Sequence, residues 1–372
     1  MFIFAPYHLL VKEVAPFLSY WKEGLFVLFL LTGGAFEMLT RKRFLYLYIF
    51  LGIIVCWDLF FQNQSDYISF VFLFEYTPVA YFAYFFVLNP VKSNSVFWLA
   101  FLMAVTIPYW VLVYERTGNY SYVFVPEEQG FSLLRNGVLR VRYCFDSPNS
   151  LAQFSWFISC FLCVYYFKKF KVYIIFLLVG LAVVAYMTGS RAAFLLIGAS
   201  GAAYGVIRFS AFTKTSFRTL VFLMLFVFVV ANVFFNVSDI FSRKASGQEK
   251  WDDVQRVERI QDGALKAEKN FVFGMGSAVF DPSALQFIDV ENAWLPMIYS
   301  FGLAGITFLI YFVLQMITIP RQHKYYNVLI FSIPWLAYSF IYPLFQERNP
   351  LILTMFILGS IFAYKQQDLK SA

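Results

Sequence analysis

Charge is scarce in this sequence. Asp, Glu, Lys and Arg together make up 14% of its 372 residues, against roughly a quarter in an ordinary soluble domain. Hydrophobic residues make up 60% and aromatic residues 22%. A soluble fold of this length has too little interior to hide that much apolar surface, so lipid is the expected solvent. Histidine is scarcer still, with His8 and His323 the only two, and this argues against a histidine-based metal centre or a histidine base at an external site. The four cysteines are Cys56, Cys144, Cys160 and Cys163, and all but Cys144 lie in apolar runs. Cys160-x-x-Cys163 has no second pair and no histidine nearby, so it reads as packing, and no disulfide framework is indicated. The net charge of +7 would suit nucleic acid, but the basic residues sit in short gaps between apolar runs and form no basic domain. Neither nucleic acid, metal nor cofactor is expected.

What the sequence has instead is a series of apolar stretches long enough to cross about 30 Å of hydrocarbon, about eleven of them, with ten to twelve as the range. They fall near 24–40, 44–62, 67–88, 95–114, 148–167, 170–188, 191–209, 217–236, 292–318, 325–343 and 349–364. The segment before Gly24 is apolar but broken by Pro6, Lys12, Glu13 and Pro16, and it is left open between an interfacial helix and a further crossing. Met1 to Leu10 lacks a basic n-region and a small-residue cleavage site, so no cleavable signal is expected. Arg41-Lys42-Arg43, Lys92, Lys168-Lys169-Lys171, Arg208 with Lys214 and Arg218, Arg321 with Lys324, and Lys365 with Lys370 all fall in alternate gaps. Those gaps are read as cytoplasmic. The gaps 63–66, 115–147, 189–190, 237–291 and 344–348 then face outward. The expectation is one all-α polytopic membrane domain, 1–372, with two larger external loops at 115–147 and 237–291, and no internal repeat or soluble nucleotide-binding domain.

In the longer loop, Asp252 to Asn270 reads as an amphipathic helix, with Val254, Val257, Ile260, Ala264 and Leu265 on one side. Arg256 and Arg259 project from neighbouring positions on it. They suit either anion binding or plain ion pairs with Asp253 and Asp262. A second candidate is the corner Thr188-Gly189-Ser190-Arg191 between two crossings. The helix that follows starts at the outer face with free N–H groups, Ser190 would cap it, and Arg191 adds a full charge to an anion site. Arg191 snorkelling to headgroups is the alternative. Gly198, Gly201 and Gly205 on the same crossing read as a close-packing surface, and Gly274-Met275-Gly276 reads as a tight turn. Glu291-Asn292 stands at the outer start of the next crossing, either as a cap or with Glu291 as a general base. The other loop offers Arg135, Arg140, Arg142 and Asp146 before Ser147-Pro148-Asn149, a capped helix start. Glu37, Asp58 and Glu75 are ionisable residues inside crossings, hence functional candidates until partners are found.

These residues resemble the bacterial O-antigen polymerase and ligase family of membrane glycosyltransferases. The resemblance rests on Gly189-Ser190-Arg191-Ala192-Ala193, on Arg256 to Gly276 running from a loop helix into a Phe-Gly-x-Gly turn, and on Glu291-Asn292 leading to Ser300-Phe301-Gly302-Leu303-Ala304-Gly305. It covers approximately the C-terminal half, with Asp146 to Leu151 as a weaker extension. It implies a GT-C-like helical fold that transfers glycans from undecaprenyl diphosphate outside the cytoplasmic membrane, without nucleotide sugar or metal. Arg191, Arg256 and Glu291 would be catalytic, with Arg140, Arg142, Arg259, Asn292 and Ser190 around the substrate. The implied partners are lipid-linked glycan donor and acceptor and the bilayer, with a chain-length regulator as a further candidate. Ligases of the family typically carry His-Asn where this chain has Glu291-Asn292, which favours a polymerase over a ligase. A flippase for lipid-linked oligosaccharide, with Glu75 and Asp58 in its pathway, is the rival from another class; transporters more often show inverted repeats and short external loops.

Overall fold

A chain that crosses hydrocarbon must satisfy its backbone N–H and C=O groups within each segment, and helices, which do this, dominate the described residues. The computed structural model describes residues 20–60, 68–88, 134–135, 138–139, 147–166, 248–276, 292–317, 328–340 and 348–371, with positions 17, 188, 190, 196, 198–200, 203, 342, 344 and 345. The helices are α1 (Trp21–Leu31), α2 (Gly34–Thr40), α3 (Lys42–Phe60), α4 (Ile68–Leu88), α5 (Pro148–Tyr166), α6 (Gln248–Lys269), α7 (Trp294–Ile317), α8 (Leu329–Ser339) and α9 (Arg348–Ser371). The departure from all-α among the described residues is a two-residue hairpin in the 115–147 loop, with Leu134–Arg135 (β1) antiparallel to Val138–Leu139 (β2).

Among the described residues, α7 is by itself long and apolar enough to cross a membrane, and α1 with α2 qualifies as a bent pair. The sequence reads 24–40 as one continuous crossing, and the structure corrects this with a 66° bend between α1 and α2. The cause is local. Gly33 takes a left-handed φ of 69°, and the Thr32 hydroxyl donates back to Leu28 O at 2.9 Å, which closes α1 one residue earlier. The expected crossings 95–114 and 217–236, and 170–188 apart from Thr188, lie outside the described residues.

The chain divides into two compact units. One takes in residues 20–88, 247–318 and 336–372. Its core is aromatic: Phe44 sits edge-on between Tyr84 and Phe362, and Phe50 stacks on Phe308 at 4.0 Å. Ends that the charge pattern puts on one side of the membrane meet here. Arg43 donates to Phe362 O, the Tyr311 hydroxyl donates to Arg43 O at 2.7 Å, Lys365 Nζ donates to Gln315 Oε1 at 2.8 Å, and Gln367 donates to Val87 O. At the other end of α7, the Ala293 N–H donates to Ser339 O at 2.9 Å, and Trp294 stacks on Phe340 at 4.6 Å.

Helices α4 and α9 run parallel, since Gly359 abuts Ala80 and Gln367, two turns on, reaches Val87. A Cβ at 359 would overlap the Ala80 carbonyl, so this glycine sets how closely the two helices approach. Gly359→Val is expected to destabilise the protein by about 1–3 kcal/mol through overpacking. Gly198→Ala, where a Cβ meets nothing within 4 Å, should be neutral or slightly stabilising. Thermal unfolding in detergent, followed by size-exclusion of the surviving fraction, checks both; equal melting temperatures for the two variants would rule out the close-approach role of Gly359.

The second unit takes in residues 1–19, 89–246 and 319–335. Ser147 caps α5, its hydroxyl accepting from the Ser150 N–H at 3.1 Å, with Pro148 as the first helical residue. Trp156 stacks on Trp335 at 5.1 Å and donates from Nε1 to the Ser200 hydroxyl at 2.7 Å; that hydroxyl in turn donates to Ile330 O. Among the described residues of the 191–209 stretch, Leu196, Ser200 and Ala203 are buried, whereas Gly198 is exposed. These three buried positions form a row with a serine at its centre. The expected glycine face fails at Gly198, and Gly201 and Gly205 lie outside the described residues. Cys160 is buried, with its sulfur within reach of Ser200, as expected of a packing cysteine.

Candidate functional site

The site is built around a break in α7. An unbroken helix would carry the Leu303 N–H to Tyr299 O and the Ala304 N–H to Ser300 O. At Gly302 the backbone instead takes φ 53°, ψ −128°. Leu303 donates out of the helix to Val272 O at 3.2 Å, and Tyr299 O and Ser300 O accept from the Met275 and Gly276 N–H groups, each at 2.9 Å. The turn after α6 thus takes over hydrogen bonds that an unbroken α7 would make within itself. Gly274 and Gly302 face each other across this junction. A Cβ at 274 would overlap the Ser300 carbonyl, and one at 302 the Val272 carbonyl. The tight turn read at Gly274-Met275-Gly276 is present, but the sequence reading took Gly302 as part of a continuous crossing. The signal available was a Gly-x-x-Gly inside an apolar run, which is also the signature of ordinary close packing.

The short N-terminal half of α7 is capped by Asn292, whose Oδ1 accepts from the N–H groups of Trp294 and Leu295, both at 2.9 Å. Its carbonyl oxygen is thereby committed to the helix, so the amide hydrogens are what it can offer a ligand. Ser300 bonds back to Pro296 O at 2.6 Å, and Trp294 Nε1 donates to Ser339 at 3.0 Å. The helix start is thus tied down at its cap, its first residue and its break.

Helix α6 is longer than the expected 252–269, spanning Gln248–Lys269, with Lys266 and Lys269 in its last turn. It meets the N-terminal half of α7 through Ala267, which packs with Tyr299, Leu295, Ile298 and Met275. Gly263 is also buried, so α6 docks through small residues one turn apart. The apolar residues expected on one side do not form that face: Val257, Ile260 and Leu265 are exposed. Position 256 lies two turns before Gly263 and three before Ala267, on the same helical row as the docking face. Asp262 pairs with Lys266 at 2.7 Å.

The structure therefore gathers the α6 positions 256 and 259 and the capped Asn292 start into one unit. Ser190 belongs to the other unit. It is buried, and its N–H donates to the Thr188 hydroxyl at 3.4 Å. Arg191, Glu291, Arg140 and Arg142 lie outside the described residues, as does the side chain of Arg256. Of the ionisable residues inside crossings, Glu75 pairs with Lys22 at 3.4 Å, and Glu37 pairs with Arg41 and accepts from the Tyr81 hydroxyl. Both carboxylates thus have structural partners that the sequence did not reveal.

Residues 174–310 match the family model described as O-antigen ligase. The match takes in the Thr188-to-Arg191 corner, all of α6, the 270–276 turn, Glu291-Asn292 and the break in α7. No curated protein and no solved structure matches the chain. Members of this family are integral inner-membrane proteins and glycosyltransferase-like enzymes acting on lipid-linked glycans. The residues that carried the resemblance at 189–193, 256–276 and 291–305 all fall inside the matched stretch, so residues 174–310 of this chain are similar to the O-antigen polymerase and ligase family.

Proposed function

We propose that the protein is a polysaccharide polymerase. It joins undecaprenyl-diphosphate-linked oligosaccharide repeat units at the outer face of the cytoplasmic membrane, on a GT-C-like bundle of about eleven crossings. The observation that supports this most is the hydrogen-bond exchange at Gly302. It fastens the helix bearing Arg256 and Arg259 to a capped helix start preceded by Glu291, inside the segment that matches the family.

In this reading Arg191 and Arg256 hold the donor's diphosphate. An acceptor sugar hydroxyl oxygen bonds to the donor's anomeric carbon as the bond from that carbon to the diphosphate oxygen breaks. The electron pair leaves with undecaprenyl diphosphate, whose growing charge the arginines stabilise. Glu291 takes the hydroxyl proton. Arg259, Arg140, Arg142, Ser190 and Asn292 orient the two lipid-linked sugars. A chain-length regulator would act on this step from outside it.

A ligase would run the same displacement with another acceptor. The carboxylate of Glu291 in place of the family's usual histidine is what favours polymerisation. The flippase reading is weakened because Glu75, one of its two pathway carboxylates, is held in an ion pair with Lys22. Purified protein in proteoliposomes, given synthetic undecaprenyl-diphosphate-linked repeat units, should produce a ladder of lengthening products on a gel. A single transfer to an added foreign acceptor, with no ladder, would select the ligase; movement of the lipid across the bilayer with no new glycosidic bond would select the flippase. Glu291→Gln should lower turnover far more than it weakens binding of the lipid-linked unit. Unchanged turnover would leave Glu291 as part of the helix start and no more.

A further inference from the structure

One apolar surface is not used by the proposed chemistry. Phe271, Val272 and Phe273, in the turn after α6, are 48%, 51% and 60% exposed, and no charged residue lies between Asn270 and Gly276. Three bulky apolar side chains presented together on an external loop are unfavourable in water. Their backbone is also unusual for a loop in being well bonded to protein. Phe271 N–H donates to Glu268 O, Gly274 N–H to Asn270 O, Met275 N–H to Tyr299 O and Gly276 N–H to Ser300 O, while Val272 O accepts from Leu303. Irregular backbone is tolerated at membrane depth when its polar groups are satisfied by protein in this way.

The partner follows from what the turn is joined to. Leu303, Ile310, Leu314 and Ile317 are exposed along α7 at spacings of seven, four and three, a continuous stripe on one side of the helix. On a crossing helix that stripe faces lipid. Val272 bonds directly to Leu303, the outermost member, so the turn extends the lipid-facing surface without interruption. From Leu303 to Ile317 is about 21 Å of helix, less than the roughly 30 Å of hydrocarbon. With Gln315 and Lys365 joined at the inner end, Leu303 and the turn bonded to it fall below the outer headgroups rather than above them. Lys266 and Lys269, in the last turn of α6, stand where long cationic side chains reach back to lipid phosphates.

We propose that Phe271–Val272–Phe273 is a wedge seated among the acyl chains of the outer leaflet. It holds the C-terminal end of α6 at headgroup level. The exposed Val257, Ile260 and Leu265 of α6 then meet the interface instead of bulk water. The occupant of this surface is bilayer lipid, and the contact exists with or without substrate.

A fluorescent amino acid placed at position 273 of the full-length protein, reconstituted in nanodiscs, tests this. Nitroxide on the upper acyl chain should quench it several times more strongly than aqueous iodide does. The same probe at the exposed Glu268 position should show the reverse order. Strong iodide quenching with little acyl-chain quenching at 273 would overturn the proposal. So would acyl-chain quenching that is relieved by adding unlabelled undecaprenyl diphosphate, because the surface would then be a groove for the substrate's tail. Should the bulky probe unfold the protein, Phe273→Lys measured by thermal unfolding in nanodiscs and in detergent serves instead. A loss of stability confined to the bilayer supports the wedge, and an equal loss in both overturns it. No turnover is involved, so failure here is separable from failure of the polymerase reading.

Discussion

Gly302→Ala is expected to lower the yield of folded protein sharply and to abolish glycan transfer by the molecules that remain folded. Two costs coincide. The backbone at 302 has φ 53°, a region that L residues enter at a cost of about 1–3 kcal/mol, and the added methyl overlaps the Val272 carbonyl, for about another 1–3 kcal/mol. Relief is available only by pushing the 272–276 turn off α7, which returns the Tyr299 and Ser300 carbonyls to the helix and frees α6. The variant therefore separates the two arginine positions on α6 from the Asn292 start without touching a charged residue. Gly274→Ala strains the same junction from the other side, against the Ser300 carbonyl. Once one substitution has opened the contact, the second methyl meets little, so the double variant should cost less than the sum of the singles. Thermal unfolding of the four proteins of the cycle measures this. Strict additivity would mean that the two glycines act independently and that the exchange at the break is not the unit of stability.

The sequence exposed the parts of this architecture that depend on local pattern. Asn292 before an apolar run, Ser147 before a proline, and Lys266 and Lys269 closing a polar helix each reflect short-range capping or dipole preferences, and each has its counterpart in the structure. The alternation of basic gaps put Arg43 and Lys365 on one side of the membrane, and the structure brings both to the end where Tyr311, Gln315, Phe362 and Gln367 meet. Contacts between distant segments were not legible. No periodicity says that α6 docks through Gly263 and Ala267 while its larger apolar residues stay exposed, because a small-residue face has no hydrophobic signature. The partnership of Glu75 with Lys22 joins residues 53 apart, and spacing carries no trace of it. The break in α7 was hidden for a related reason: glycine inside an apolar run serves close packing and left-handed backbone equally well, and only the incoming turn decides which.

Arg191→Ala is expected to reduce polymer formation by about a hundredfold or more, the scale seen when a preorganised group facing developing charge is removed, while leaving membrane insertion intact. Arg191→Lys should also be poor. An ammonium supplies the charge but not the paired N–H donors that match two oxygens of a diphosphate, and at a bidentate site the two side chains are not interchangeable. Arg256→Ala should fall in the same range, since position 256 shares the row through which α6 meets the capped start of α7. Arg259→Ala should cost less, because position 259 is exposed. Titrating ladder formation against lipid-linked repeat unit separates the roles. A diphosphate ligand that acts mainly as charge leaves lowers turnover when its partner arginine is removed, whereas one that only anchors the ground state raises the concentration needed. Normal polymer length in both Arg191 variants would remove that residue from the site. A cysteine at position 191 that reacts only with reagents supplied from the cytosol would do more, because an anion site on the inner face has no access to a glycan carried outside.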